Sequence, residues 1–199
     1  MDKVEQLIKE KILALIGEHY SPIGPSCFYE LMEHLSINSL PKGTTLVKED
    51  QYADQSYFIV SGCARAYYLR DGRDITDWFA FENDFISSIV SFFTGAPSPH
   101  YIETLEDAVV LQISKKSTEL LASKHHDFER LMREVVTKTM LSQRERISSI
   151  LFHTAEERYD EMLRIRQDIT QRVPLTHIAS YLGMTLETLS RIRKPKNRI

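Results

Sequence analysis

Apolar positions recur every three or four residues toward both ends of the chain and every second residue in its middle. Val4, Leu7, Ile8, Ile12 and Leu15 share one face of a helix predicted over 3–16, and a second short helix follows Pro25, around 26–35. From about 44 to 113 the period shortens. Tyr57-Phe58-Ile59-Val60 and residues 63–70 read as strands joined across Ser61-Gly62. Asp71-Gly72 marks a tight hairpin, because a type I′ turn needs positive φ at both central positions. The chain returns over 73–81 with Ile75, Asp77 and Phe79 on one side and Thr76, Trp78 and Ala80 on the other. Further strands are expected at 100–105 and 107–113. Short strands at this spacing predict a β-sandwich or jelly-roll barrel.

Residues 114 to about 167 turn helical. Met132, Val136, Met140, Gln143, Ile147, Ile150 and Thr154 recur at intervals of three and four, which is the seam of a coiled coil with one polar member to fix register. Glu134, Lys138, Arg144, Glu145 and Arg146 flank it. A parallel homodimer is the expected partner, against the alternative of a helix lying on its own barrel.

The last thirty residues form a different pattern. Leu175, Ile178, Ala179 and Leu182 lie on one helical face, Gly183 supplies a turn with positive φ, and Leu189 and Ile192 continue the apolar set. Thr185 is the expected N-cap of the second helix. Its outer face carries Glu187, Thr188, Ser190, Arg191, Arg193 and Lys194. A polar second helix after a glycine turn is the unit that enters the DNA major groove.

Charge sharpens that reading. Residues 170–199 hold six Lys and Arg (172, 191, 193, 194, 196, 198) against Glu187 alone, so this end carries +5 on a chain whose net charge is −3. A basic end on an acidic body is the footprint of a local nucleic-acid site. Charged residues at 27% and apolar ones at 42% are ordinary for a soluble globular protein. No run of eighteen apolar residues occurs, and the first residues lack a secretory block, so a cytoplasmic protein without membrane contact is expected. Cys27 and Cys63 fit no zinc or iron–sulfur spacing and are expected as buried, reduced thiols.

The order of parts (β-roll, long dimer helix, C-terminal helix-turn-helix) resembles the bacterial Crp/Fnr superfamily over nearly the whole chain. Ile178-Ala179, Leu182-Gly183-Met184-Thr185, Glu187 to Arg191 and Asn83-Asp84-Phe85-Ile86 carry the likeness most specifically. The resemblance implies an α+β fold: an effector-sensing, cyclic-nucleotide-binding-like roll over 1–124, dimerisation and linker helices over 125–167, and a DNA-binding helix-turn-helix over 168–199. That last unit looks like a trimmed winged helix, with no room after Pro195 for a β-wing. The same resemblance implies a homodimeric transcriptional regulator on double-stranded DNA, with RNA polymerase as a further partner. Glu187 and Arg191 would read base edges and Thr185 would touch phosphate. Leu186 stands where many members have a base-reading arginine.

The effector cassette departs from the family. Aligned on Asp84-Phe85-Ile86, the Gly-Glu and Arg-Ser of nucleotide-binding members become Ser87-Ser88 and Ser98-Pro99, and no Lys or Arg occurs between Arg73 and Lys115. A buried phosphate without a cation is strongly penalised, so cyclic AMP is not expected to bind in the family's manner. Ser87, Ser88 and Ser98 remain effector candidates, with Gln143 and Arg144 on the dimer helix where family effector contacts fall. Trp78, Phe79, Phe81, Phe85, Phe92 and Phe93 would be barrel core or the lining of an apolar effector pocket.

An enzyme is not expected. A cupin needs several histidines and an acid converging from strands, and the roll offers only His100. A heme sensor would also have to use His100. No catalytic or metal-binding residues and no cofactor are assigned; His125-His126 read as surface or packing residues and His177 as a phosphate or solvent contact.

Overall fold

Two four-stranded antiparallel sheets face each other over residues 36–114 in the computed structural model, which describes residues 3–193. One sheet has the order β1 (Ser36–Leu40), β8 (Ala108–Ser114), β3 (Gln55–Ser61), β6 (Phe85–Ser87). The other has the order β2 (Thr45–Val47), β7 (Tyr101–Thr104), β4 (Ala64–Arg70), β5 (Arg73–Ala80). This is the jelly roll that the alternating stretch predicts. The hairpin forms as expected: Asp71 and Gly72 have φ of 52° and 70°, and Arg70 pairs with Arg73. β1 has no counterpart in the sequence reading, because its Ser36-Ile37-Asn38-Ser39-Leu40 is mostly polar; pairing with β8 makes it a strand.

Between the sheets lie Val47, Ile59, Ala64, Ala66, Ala80, Ile86, Ile102 and Val110, all buried. Small alanines on β4 and β5 leave room for the branched residues opposite, the interdigitation that close packing requires. A second cluster lies outside the first sheet. There Phe58, Leu111 and Ile113 meet α1 (Lys3–His19), α2 (Pro25–His34), α4 (Lys115–Lys124) and the start of α5 (His126–Phe152).

The buried face of α1 corrects the expectation. Ile12, Leu13 and Ile16 are buried, whereas Val4, Leu7, Ile8 and Leu15 are exposed. Both sets satisfy helical spacing, so the pattern shows a helix without showing which side the sheet takes.

α5 runs as one helix for 27 residues. Its early part is anchored by Phe128, Leu131 and Val135, while Val136, Met140, Ile147 and Ile150 of the expected seam are exposed. Thr154 does not belong to that seam. The helix stops at Phe152, and Thr154 opens a reciprocal capping box with Glu157 at the start of α6 (Ala155–Ile165).

A third cluster joins the roll to the C-terminal helices. Cys63, Phe79, Phe81 and Leu105 from the roll pack with Tyr159 and Met162 of α6, Ile169 of α7 (Ile169–Arg172), Ile178 and Ala179 of α8 (Leu175–Tyr181), and Leu189 of α9 (Leu186–Ile192). The third core therefore fixes where the helix-turn-helix sits. Among the described residues, no helix is long and apolar enough to cross a membrane.

Candidate nucleic-acid interface

α8 and α9 have seven residues each, too short to be stable alone in water. They are held by burial of Ile178, Ala179 and Leu189, and by the turn between them. Gly183 has φ +63°, and the Met184 N–H donates to Ala179 O at 3.0 Å, the backbone closure that a left-handed residue permits. Thr185 is the N-cap, its hydroxyl accepting from the Thr188 N–H at 3.2 Å. Turn and cap aim α9 outward. Glu187, Ser190, Arg191 and Arg193 are exposed on it, with Leu186 beside them, and Thr188 is half-buried against the cap. Glu187's own backbone N–H and the Thr185 side chain hold its carboxyl below the ordinary carboxylate range, so it faces solvent as an anion and acceptor. Lys194 lies outside the described residues.

The inner side of the unit is occupied by the roll. Arg65, buried on β4, grips Asp74 with both ends of its guanidinium, at 2.7 and 2.6 Å, and Glu103 through Nε at 2.8 Å. The same Nη1 meets His177 Nδ1 at 2.9 Å. Ser180 completes the contact, accepting from the Thr76 N–H at 2.9 Å and donating to Asp74 O at 3.0 Å. His177, expected as a phosphate or solvent contact, is instead docked on the roll: it is half-buried, and burial followed by the Arg65 charge lowers its pKa. A neutral imidazole accepts from Arg65, which can only donate.

Arg172 leaves the basic end in the same way. It pairs with Glu82 and Glu106 of the roll and with its own neighbour Asp168, and so answers carboxylates rather than DNA. Arg146 of α5 ties the third side, reaching Thr76 O and Tyr181 O at 3.3 Å each and Asp77 at 3.4 Å. The sequence reading missed Arg65, Asp74, Glu82 and Ser180 as docking residues. One signal was available: an arginine flanked by alanines inside an apolar strand needs a buried partner.

The effector candidates do not converge. Ser88 and Ser98 are buried and bonded hydroxyl to hydroxyl at 2.8 Å, and Ser98 donates onward to His100 O at 2.7 Å. Ser87 is buried on β6 in register with Ser56. Gln143 is half-buried and Arg144 exposed on α5, and neither lines the cavity described below. The aromatic group is likewise divided. Phe85 packs on Phe58 and Tyr20, Phe79 and Phe81 join the third core, Trp78 packs at the sheet interface, and Phe93 is exposed. These rings therefore line no single pocket. His100 is buried edge-on to Tyr68 with both ring nitrogens unpaired, and burial lowers its pKa. It joins no cluster of three metal-type donors among the described residues. A cavity of about 430 Å³ opens instead where roll, α5 and C-terminal unit meet, lined among others by Phe79, Phe81, Arg146, Met162, Arg166 and Tyr181.

This geometry has known counterparts. Residues 37–134 match the family model of the cyclic nucleotide-binding domain. FixK2 from Bradyrhizobium japonicum superposes with a TM-score of 0.66 at 23% identity, over 79% of this chain and 82% of that one. CLP from Xanthomonas campestris, a c-di-GMP responsive global regulator, gives 0.65 at 16% identity, over 86% and 90%. A chain from Eubacterium rectale whose name assigns it to the Crp/Fnr family gives 0.66 at 19%, over 85% and 82%. No curated relative matches by sequence. The chain is thus built on a cyclic nucleotide-binding roll with a C-terminal helix-turn-helix. It shares this arrangement of roll, long helix and C-terminal helices with those structures.

Proposed function

We propose that this protein is a sequence-specific DNA-binding transcriptional regulator that acts as a homodimer on a two-fold symmetric operator. The observation that carries this reading is the outward face of α9, where a capped, polar helix exposes Glu187, Ser190, Arg191 and Arg193 while its inner side is buried. A glutamate accepts from cytosine N4 and an arginine donates twice to guanine O6 and N7, so these side chains suit direct readout in the major groove. The exposed apolar residues of α5 support pairing with a second copy. Residues 1–124 would sense, 125–167 would dimerise and link, and 168–199 would bind DNA, with half-sites about 10–10.5 bp apart. Selection of genomic fragments by the purified dimer at stated salt tests this: a two-fold symmetric motif supports the reading, and recovery of random DNA alone refutes it.

Cyclic AMP and cyclic GMP are not the effectors in the family's manner. The positions that would hold ribose and phosphate are the mutually bonded Ser88 and Ser98, with no cation nearby in sequence. Calorimetric titration with either nucleotide checks this, and micromolar affinity sinks it. The cavity beside Phe79 and Arg166 favours a second version of the regulator, in which a small molecule at the junction biases how the C-terminal unit sits. Native mass spectrometry of the protein from its own host would reveal such a ligand.

A further inference from the structure

The junction between α4 and α5 faces α2 with a group of donors that the DNA-binding reading does not use. Cys27 is buried on α2, His125 separates α4 from α5, and Asp127 lies in the first turn of α5. One donor atom from each (thiol sulfur, imidazole nitrogen, carboxylate oxygen) lies within 4.8 Å of the others. His125 and Asp127 are also hydrogen-bonded to other neighbours. Glu30, one turn beyond Cys27 on α2, lies 2.8 Å from His125 Nε2, and Lys124 meets its other oxygen at 2.5 Å. Asp127 accepts from the N–H groups of Gly24 and Phe128.

We propose that Cys27, His125 and Asp127 bind a divalent transition-metal ion of the zinc class, with Glu30 orienting the imidazole. The donor chemistry selects the class: a thiolate with an imidazole suits zinc, whereas calcium and magnesium take oxygen donors. Zinc bonds of roughly 2.0–2.3 Å in a tetrahedron put ligand atoms roughly 3.3–3.8 Å apart, so the observed set closes with small side-chain shifts. Charge agrees. Burial and the Asp127 and Glu30 carboxylates push the Cys27 thiol up to about 12, so an ion would displace its proton to solvent. The resulting thiolate, Asp127 and Glu30 against Lys124 would leave two negative charges for a dication to neutralise. Glu30 holds Nε2, so Nδ1 would bind the ion, and a carboxylate on the other ring nitrogen is the support that metal-bound imidazoles commonly have. Such an ion would staple α2 to the base of α5, the helix that carries the exposed seam. Cys27 and His125 are far apart in sequence, which is why no ligand spacing announces the site.

The test uses the full chain, reduced and stripped with a chelator, then titrated with Co²⁺ and Zn²⁺. The expected result is one equivalent per chain, a sulfur-to-cobalt charge-transfer band displaced by Zn²⁺, and a raised melting temperature. Cys27→Ser should abolish the band. His125→Gln should weaken binding at least tenfold, and Glu30→Gln about 10–100-fold, with far-ultraviolet dichroism checking that each variant keeps its fold. Absence of binding by stripped protein with native far-ultraviolet dichroism would overturn the proposal. So would equal binding by His125→Gln and Asp127→Asn variants, which would mark an adventitious ion elsewhere. None of these readouts involves DNA.

Discussion

Arg172 and Glu82 form a two-pronged pair across the join between roll and C-terminal unit, with Nη1 3.0 Å from Oε2 and Nη2 2.6 Å from Oε1. Both side chains are mostly buried, and the guanidinium also holds Glu106 and Asp168. A fork of parallel bonds fixes orientation as well as distance, which a point charge cannot do. This pair and the Arg65–His177 contact therefore set the angle at which α9 is presented.

Arg172→Ala should loosen that setting. It removes charge-assisted bonds and leaves three carboxylates facing one another, a loss of about 2 kcal/mol in docking. Limited proteolysis should then cut between the roll and α8 faster, while the roll's own protected core survives. Arg172→Lys should recover only part of the protection, since lysine cannot span both oxygens of Glu82. Unchanged cleavage in both variants would show that the apolar core alone holds the unit.

Acid should open the same join. Burial raises the Glu82 carboxyl, but the Arg172 guanidinium and the N–H groups of Glu82 and Gly62 more than reverse this and leave it below the ordinary carboxylate range. Asp168 is also low, chiefly through Arg172. Groups depressed in the folded state stabilise above their unfolded values and lose that contribution as pH falls through the folded ones. His177 acts first. Its pKa is lowered from an ordinary value of about 6.5, so its contribution is complete above that value and disappears as pH falls through the lowered one. Fluorescence of Trp78, the single tryptophan and a β5 residue, should report loosening as pH falls below about 6.5. His177→Gln should flatten that part of the curve and leave the carboxylate transition in place.

Arg191→Ala and Glu187→Gln should separate base reading from phosphate contact. If Arg191 reads guanine, its loss costs about 1–3 kcal/mol on the selected operator and relaxes one position. Glu187→Gln should relax a different position, because a neutral amide both donates and accepts. Binding measured across operator variants at fixed salt checks both. A uniform loss on every sequence would assign the side chain to the backbone.

How legible these features are in the sequence depends on how local their causes are. The hairpin at Asp71-Gly72, the jelly roll around it and the capped turn at Gly183-Thr185 follow from residues within a few positions of each other, and the structure has them where the pattern predicts. The outward residues of α9 are legible for the same reason. The docking side is not, because Arg65 and His177, or Glu82 and Arg172, meet only after the chain has folded back on itself. Charge counting placed Arg172 with the DNA-facing cations, since a count over 170–199 cannot see Glu82 and Glu106 arriving from the roll. The choice of face on α1 and the end of α5 before Thr154 fail on the same principle. Periodicity constrains an element, and its neighbours decide which side is buried and where it stops.

The seam of α5 offers the most decisive mutational test of assembly. Met140 is 61% exposed and Ile147 56% exposed in the single chain, on a helix whose other face is anchored by Phe128, Leu131 and Val135. Apolar side chains repeated at such spacing on a 27-residue helix are expected to be covered by a second copy. Replacing Met140 and Ile147 together by glutamate puts four like charges at the centre of a parallel pair, where none can be solvated. Dissociation to a monomer should follow, visible by light scattering during size-exclusion chromatography. The fold of the roll should persist, because both side chains leave its core untouched, and far-ultraviolet dichroism should confirm it. A variant that stays dimeric at micromolar concentration would move the interface elsewhere, and the exposed face of α1, with Val4, Leu7 and Leu15, is the next surface to mutate.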